Sequence, residues 1–348
     1  MNQMRRRPVH LVLRPVPEPE KGQFPLWRVR GLPRDPTLAE WLDHWMAREI
    51  EPCRARTTVY GYSNIIRNHV DPAIGSLRLS QVTPGLLEEY YYWLTREQGL
   101  SANTARKHHV LLHTSLRAAW RQGLLASNPA DLAVPPRYEC GTAHFYTPEQ
   151  LGRLLQLVEG HPLELPVRLA CSLGLRRGEI LGLRWRDVDL KAGLISVRQT
   201  RTTVAHRVVE KAPKTPVSCR TLSIVALTDL TELLREIRGE RLDRGLPCGP
   251  EDLVVLNACG TPWHPNLLTE AFTDFVSRHK LPPITLHGLR HTFASMASNA
   301  RVPMYQISRA MGHSSPTTTQ RVYTHLFEPT HGEVLAAVAA AMPGKEAK

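Results

Sequence analysis

Apolar residues recur every three or four positions along most of the chain and every second position over one short stretch only. That pattern predicts a mainly helical protein with a small antiparallel β-sheet. The first clear run is Leu38, Trp41, Leu42, Trp45 and Met46. It is entered through Thr37 and Glu40, the spacing of a capping box. A second helix is expected over about 57–69, stopping before Asp71-Pro72. A third begins at Thr83-Pro84, with proline at the first helical position. It turns Leu86, Leu87, Tyr90 and Leu94 inward and ends near Gly99. A fourth starts at Ser101 or Thr104 and runs to Gln122, with Gly123 as its stop. Leu112, Leu116, Ala119 and Trp120 mark its expected buried face.

Thr147-Pro148-Glu149-Gln150 opens a new helix with Leu151, Leu154, Leu155 and Val158 on its apolar side. A helix over about 165–173 leads into the turn Gly174-Leu175-Arg176-Arg177-Gly178-Glu179, and a short helix carries Ile180, Leu181 and Leu183. The period then changes to two. Ile195 and Val197 alternate, Val204 to Glu210 is β-branched, and Thr221 to Val225 alternates again. This predicts a sheet of roughly three strands, with Lys211 to Pro216 in the last turn. Helices are expected beyond it at about 227–243, 265–280, 287–299, 304–311, 317–327 and 331–341.

Proline and loop-forming residues divide the chain. Residues 1–36 hold seven prolines, from Pro8 to Pro36, and are expected to form a basic, mostly irregular tail. Residues 37–137 form a helical domain, 138–146 a linker, 147–342 a second domain and 343–348 a short tail. No internal repeat is visible.

Charge narrows the partner. The 348 residues carry a formal net charge of +12, which suits a polyanion such as nucleic acid. Arg54, Arg56, Arg67, Arg106, Lys107, Arg117 and Arg121 are candidates to track a phosphate backbone from the helical domain. No apolar run is long enough to span a bilayer, so no membrane partner is expected. Basic Met4-Arg5-Arg6-Arg7-Pro8 lacks the apolar stretch of a signal peptide. Cys53, Cys140, Cys171, Cys219, Cys248 and Cys259 show no Cys-x-x-Cys pair. They read as reduced thiols of a cytoplasmic protein, not as a disulfide frame or a zinc site.

The segment from His287 to Tyr323 carries the candidate chemistry. His287 and Arg290 are followed by Met311-Gly312-His313 and a lone Tyr323. Cleaving a phosphodiester adds negative charge at the phosphorus, which two guanidiniums answer better than one. Arg290 is one, and Arg176 in its glycine-flanked turn is the second, with Arg177 as its rival. Glu179 lies one helical turn from Arg176 and can orient it. His287 and His313 can shuttle protons, Tyr323 can be the nucleophile, and Lys214 suits the general acid, with Lys211 as competitor. No carboxylate cluster has metal-ligand spacing, so neither a metal nor another cofactor is expected.

Three signatures resemble tyrosine recombinases of the phage-integrase, lambda-integrase-like family. They are Leu173-Gly-Leu-Arg176-Arg-Gly-Glu179, Leu286-His287-Gly-Leu-Arg290-His291, and Met311-Gly-His313 followed by Tyr323. The resemblance covers the chain from Thr37 onward. It implies a SAM-like core-binding domain and an α+β catalytic domain that clamp double-stranded DNA at att-like core sites. It also implies a homo-tetramer passing through a Holliday junction, and Arg176, Lys214, His287, Arg290, His313 and Tyr323 as the catalytic set. Cleavage would leave a 3′-phosphotyrosine. An accessory excision factor or a host DNA-bending protein is an implied partner, and the setting is a prokaryotic or phage-encoded enzyme integrating or excising a mobile element. Met311 stands where the family usually has Leu, a near volume-conserving exchange. The Pro-rich tail is shorter than an arm-site-binding unit. Val334, Leu335 and Val338 give a C-terminal helix an apolar face for a neighbouring protomer. The same chemistry in a type IB topoisomerase-like enzyme, or a DNA-binding protein that no longer cleaves, are the alternatives.

Overall fold

The computed structural model describes residues 32–137, 144–205, 207–212 and 218–312. Lys214, His313, Tyr323 and the helices expected over 317–327 and 331–341 lie outside the described residues. The chain divides into two units, Met1–Tyr138 and Glu139–Lys348.

The first unit is helical. Helix α1 (Leu38–Trp45) begins at the capping box read from sequence. Thr37 N donates to Glu40 Oε2 at 2.8 Å, and Glu40 N donates back to Thr37 Oγ1 at 3.2 Å. Leu38, Trp41, Leu42 and Trp45 are all buried. Each such side chain contributes about 1.5–3 kcal/mol by leaving water, which an eight-residue helix needs because short helices are marginal alone. Trp41 Nε1 donates to Ser115 O of α5 at 3.1 Å, so the largest buried ring also satisfies its polar atom.

Helix α2 (Arg56–Ile65) passes through a π turn (Ile66–Val70) into α3 (Asp71–Ile74). The expected stop before Asp71-Pro72 does not occur. Asp71 N reaches back to Ile66 O and Gly75 N to Val70 O, five residues each, and the wider turn accommodates a proline that cannot donate. Helices α4 (Pro84–Arg96) and α5 (Ala102–Arg121) follow, with Thr83 and Ser101 capping through their hydroxyls. Trp120 departs from the expected buried face of α5. It is 45% exposed, because Ala118 and Ala119 take the inward positions at that end. The last residues of the Pro-rich tail belong with this unit. Asp35 accepts from Ser80 N and Oγ, and Leu32 packs on the helical core.

The second unit begins with α6 (Pro148–Val158), capped by Thr147 and Gln150, then α7 (Glu164–Leu173) and α8 (Arg177–Gly182). Strands β1 (Val188–Asp189), β2 (Leu194–Val197) and β5 (Arg220–Ser223) form one antiparallel sheet in the order β1-β2-β5. Strands β3 (Thr200–Val204) and β4 (Arg207–Lys211) form a separate hairpin. The β-branched run around Val204–Glu210 is therefore not one strand of the main sheet but the two arms of a ribbon. Alternation alone does not show that the chain folds back between Val204 and Arg207. Helices α9 (Thr228–Asp243), α10 (Pro265–Arg278), α11 (Leu286–Asn299) and α12 (Met304–Met311) complete the described residues, within two residues of the expected limits. Leu169, Ala170, Leu173 and Leu289 are buried where α7 packs on α11, and this pair is the frame of the site.

Candidate active site

Three local devices bring the site together. Helix α7 ends at Gly174, whose φ of 62° is the left-handed region that glycine enters without strain. The turn exposes Gly174 O, and Arg290 Nη1 on α11 donates to it. Arg290 lies in the first turns of α11, which starts where Thr285 Oγ1 accepts from Gly288 N at 3.0 Å. Helix α12 stops at Gly312, again left-handed with φ 66°.

The carbonyls at the end of α12 carry the negative end of the helix dipole. Three guanidiniums meet three successive carbonyls there. Arg220 Nε donates to Ala310 O at 2.6 Å, Arg290 Nη2 to Met311 O at 2.8 Å, and Arg176 Nη2 to Gly312 O at 3.0 Å. Arg176 and Arg290, far apart in the chain, are thus placed on adjacent peptide groups. Arg290 is 1% exposed, whereas the Arg176 side chain keeps 37%.

Glu179 ties the cluster from below. It is the N3 residue of α8, and its Oε2 accepts from Arg176 N at 2.9 Å while its Oε1 accepts from Arg176 Nη1 at 2.7 Å. Arg220 adds a fork, Nη1 to Oε1 at 3.2 Å and Nη2 to Oε2 at 2.9 Å. Burial alone would raise the Glu179 carboxyl. The Arg220 hydrogen bond and charge, followed by those of Arg176, outweigh it and hold the pKa below the ordinary carboxylate value. Arg177, the rival to Arg176, turns the other way and donates to Thr269 Oγ1 of α10 at 2.7 Å.

His287 sits one turn before Arg290 with its side chain exposed. The surrounding protein, then the charges of Arg290 and Arg176, lower its pKa below 6.5, so it is neutral at neutral pH. A neutral imidazole has one nitrogen that donates and one that accepts a proton. His291 stacks edge-on against it at 4.7 Å, and burial followed by the neighbouring His287 and Arg290 pushes its pKa down to about 4.

The β3–β4 hairpin lies on α8. A Cβ on Gly178 would come 3.0 Å from Arg201 O, and one on Gly182 would come 3.0 Å from Gln199 O. Only glycine permits that approach of strand to helix. Gln199 Nε2 also donates to Gly182 O at 2.8 Å. Lys211 ends the hairpin, and Lys214 follows outside the described residues. Among the described residues no group of three His, Cys, Asp or Glu could hold a metal, and no helix is long and apolar enough to cross a membrane.

In the first unit Arg54, Arg56, Arg67, Arg106, Lys107, Arg117 and Arg121 are all exposed. Arg106 and Lys107 line a groove of about 380 Å³ between α2 and α5, with Thr58, Tyr62, Asn103 and Val110, whereas Arg121 pairs with Glu49 at 3.4 Å.

Sequence reasoning missed Arg220 and His291. Arg220 ends an ordinary-looking polar stretch, and its partner Glu179 is 41 residues away, so no local periodicity links them. His291 follows Arg290 directly and was legible as a second imidazole on the same helix, four residues from His287.

Comparison with known proteins places the chain in a family. Residues 144–329 match the phage integrase family and residues 44–134 the phage integrase SAM-like domain. A tyrosine recombinase XerC-like protein of Caldanaerobacter subterraneus subsp. tengcongensis is 26% identical over 316 residues, covering 84% of this chain and 80% of that protein. The ICEBs1 integrase of Bacillus subtilis is 26% identical over 266 residues, covering 76% of this chain and 72% of that protein. In fold, the Tn1549 transposon integrase in complex with a circular intermediate DNA superposes with a TM-score of 0.76 at 20% identity, over 88% of this chain and 99% of that one. A lambda integrase dimer bound to a COC′ core site gives 0.63 at 17% identity, over 85% of this chain and 79% of that one. With a family match spanning more than half its length and the fold to go with it, the chain belongs to the phage integrase family of tyrosine recombinases.

Proposed function

We propose that this recombinase cuts and rejoins duplex DNA at specific att-like sites through Tyr323, integrating or excising a mobile element. The observation that carries the reading is the placement of Arg176 and Arg290 on neighbouring carbonyls at Gly312 and Met311, one residue before His313. Two guanidiniums so placed can grip the nonbridging oxygens of one phosphate and answer the charge of a pentacoordinate transition state. The Tyr323 phenol oxygen attacks phosphorus, the bond to the 5′ oxygen breaks, and Lys214 supplies that oxygen with its proton. The phenol proton passes to an imidazole, of which neutral His287 is one acceptor and His313 the other. The 3′-phosphotyrosine keeps the energy of the broken bond, so a 5′ hydroxyl from a second strand can reseal without ATP.

Two such exchanges produce and resolve a Holliday junction, which four protomers would hold. The helical unit supplies DNA contacts through its basic residues, with Arg106 and Lys107 beside the α2–α5 groove as the leading pair. Solved relatives include a lambda integrase dimer on a core site and a tetramer on a Holliday junction, which supports the assembly. A nicked duplex that lets the cleaved fragment diffuse away tests the reading. The wild-type protein should form a covalent adduct on a particular sequence, in EDTA and without ATP, and Tyr323→Phe should bind that DNA without forming it. Sequence-independent relaxation of supercoiled plasmid would favour a topoisomerase-like enzyme instead.

A further inference from the structure

Arg220 makes no part of the phosphate-binding pair, yet it holds Glu179 and the helix end that carry the acceptors of Arg176. Among the described residues the Arg176 guanidinium has two acceptors, Glu179 Oε1 and Gly312 O. Glu179 is gripped by both terminal nitrogens of Arg220, and the turn ending α12 is gripped by Arg220 Nε at Ala310 O. Gly312 is shaped to this contact. A Cβ there would lie 2.6 Å from Arg220 Nη1, so a side chain at this left-handed position would strain the backbone and push the guanidinium aside. The Arg220 side chain is 7% exposed and the Glu179 side chain 1%. Nε and both terminal nitrogens of Arg220 are engaged within the protein, while Arg176, at 37%, keeps side-chain surface exposed. An exposed arginine with long rotatable arms would sample many orientations unless its acceptors were fixed.

We propose that Arg220 is a positioning residue for phosphodiester cleavage. It clamps Glu179 to the last turn of α12, and so fixes both the orientation of Arg176 and the point from which the chain departs toward His313 and Tyr323. The inference rests on the function proposed above. Lysine cannot substitute fully, because one ammonium cannot make a fork to a carboxylate and also reach Ala310 O.

The test uses the full chain and a nicked duplex selected from random sequence by binding to the wild-type protein. A second version carries a methylphosphonate at the scissile position, which replaces one charged nonbridging oxygen with a methyl group and so needs less help from a guanidinium. Single-turnover cleavage, DNA affinity and thermal melting are measured for R220Q and R220K. Loss of a preorganised cationic donor costs about 100-fold in rate. R220Q should therefore cleave the phosphodiester about 100-fold more slowly than wild type at unchanged affinity, and R220K should recover only part of that loss. On the methylphosphonate most of the deficit should disappear. Equal slowing on both substrates, or wild-type rates in a folded R220K, would overturn the inference. R220K keeps size and charge, so it decides the matter if R220Q does not fold. A wild-type protein that forms no Tyr323 adduct would sink the proposed function itself. Adduct formation that is indifferent to Arg220 would sink only the positioning role.

Discussion

Glu179 sits where two arginines spend their charge, and its removal is the sharpest test at the scale of one residue. Taking one partner from a buried ion pair leaves the other charge uncompensated, at about 3–5 kcal/mol. Glu179→Ala should lose that much stability in urea denaturation, and an unchanged midpoint would contradict the pairing. The pH dependence has a definite sign. The folded pKa is depressed, so the stabilisation is complete above the ordinary value of 4.5 and fades as pH falls through the lowered pKa. The stability gap between wild type and Glu179→Gln should therefore be largest near neutrality and close in acid. His287 is likewise held below its ordinary value, and its effect is also lost in acid. Its pKa lies below 6.5, so the acid limb it imposes on the cleavage rate should fall below that pH and vanish in His287→Gln. A limb at or above 6.5 would mean the guanidiniums do not act on this imidazole. At this scale the sequence singled out Arg176, Glu179, His287 and Arg290, because each lies in a short signature, and the structure brings them together. It did not disclose Arg220, whose role depends on a strand register and a helix end brought together only by folding.

Helix ends and close approaches place these side chains. Capping residues such as Thr37 with Glu40 and Thr147 with Gln150 were legible because the cap is a local exchange of hydrogen bonds. The π turn before Pro72 was not, since a proline read alone says stop, and only the burial of Ile66, Val70 and Ile74 pulls the helix onward. The β3–β4 ribbon was read as part of the main sheet, because alternating Thr and Val suit either arrangement. What separates it is its seat on α8 at Gly178 and Gly182. Gly182→Val should test that seat. The added side chain meets the backbone at Gln199, which cannot rotate away, and the ribbon bearing Lys211 must shift. A displacement of about 1 Å can cost on the order of 100-fold in rate. Cleavage should fall by that order while DNA affinity holds. Undiminished cleavage would show that the ribbon does not help to place the general acid.

For the whole molecule, the excess of positive charge predicts that DNA binding weakens steeply with salt. The net +12 is a bulk property and does not by itself locate the contacts. Each phosphate contact contributes about one unit to the slope of log affinity against log salt. Replacing Arg106 or Lys107 with Ala should lower that slope by about one apiece, and an unaltered slope would move the contact elsewhere on the helical unit. The division into a helical module and a mixed α and β unit was legible from periodicity and from proline-rich breaks. The convergence of chemistry from α8, α11 and the end of α12 was foreseen only through family signatures, and the contribution of β5 was not foreseen.

The most direct measurement is the chemistry of the covalent link. The wild-type protein should be trapped on a nicked duplex, digested with protease and nuclease, and analysed by tandem mass spectrometry. A peptide bearing a nucleotide joined through its 3′ phosphate to the oxygen of Tyr323 is the expected product. A link to any other residue, or through a 5′ phosphate, would contradict the assignment of Tyr323 as the nucleophile served by Arg176 and Arg290.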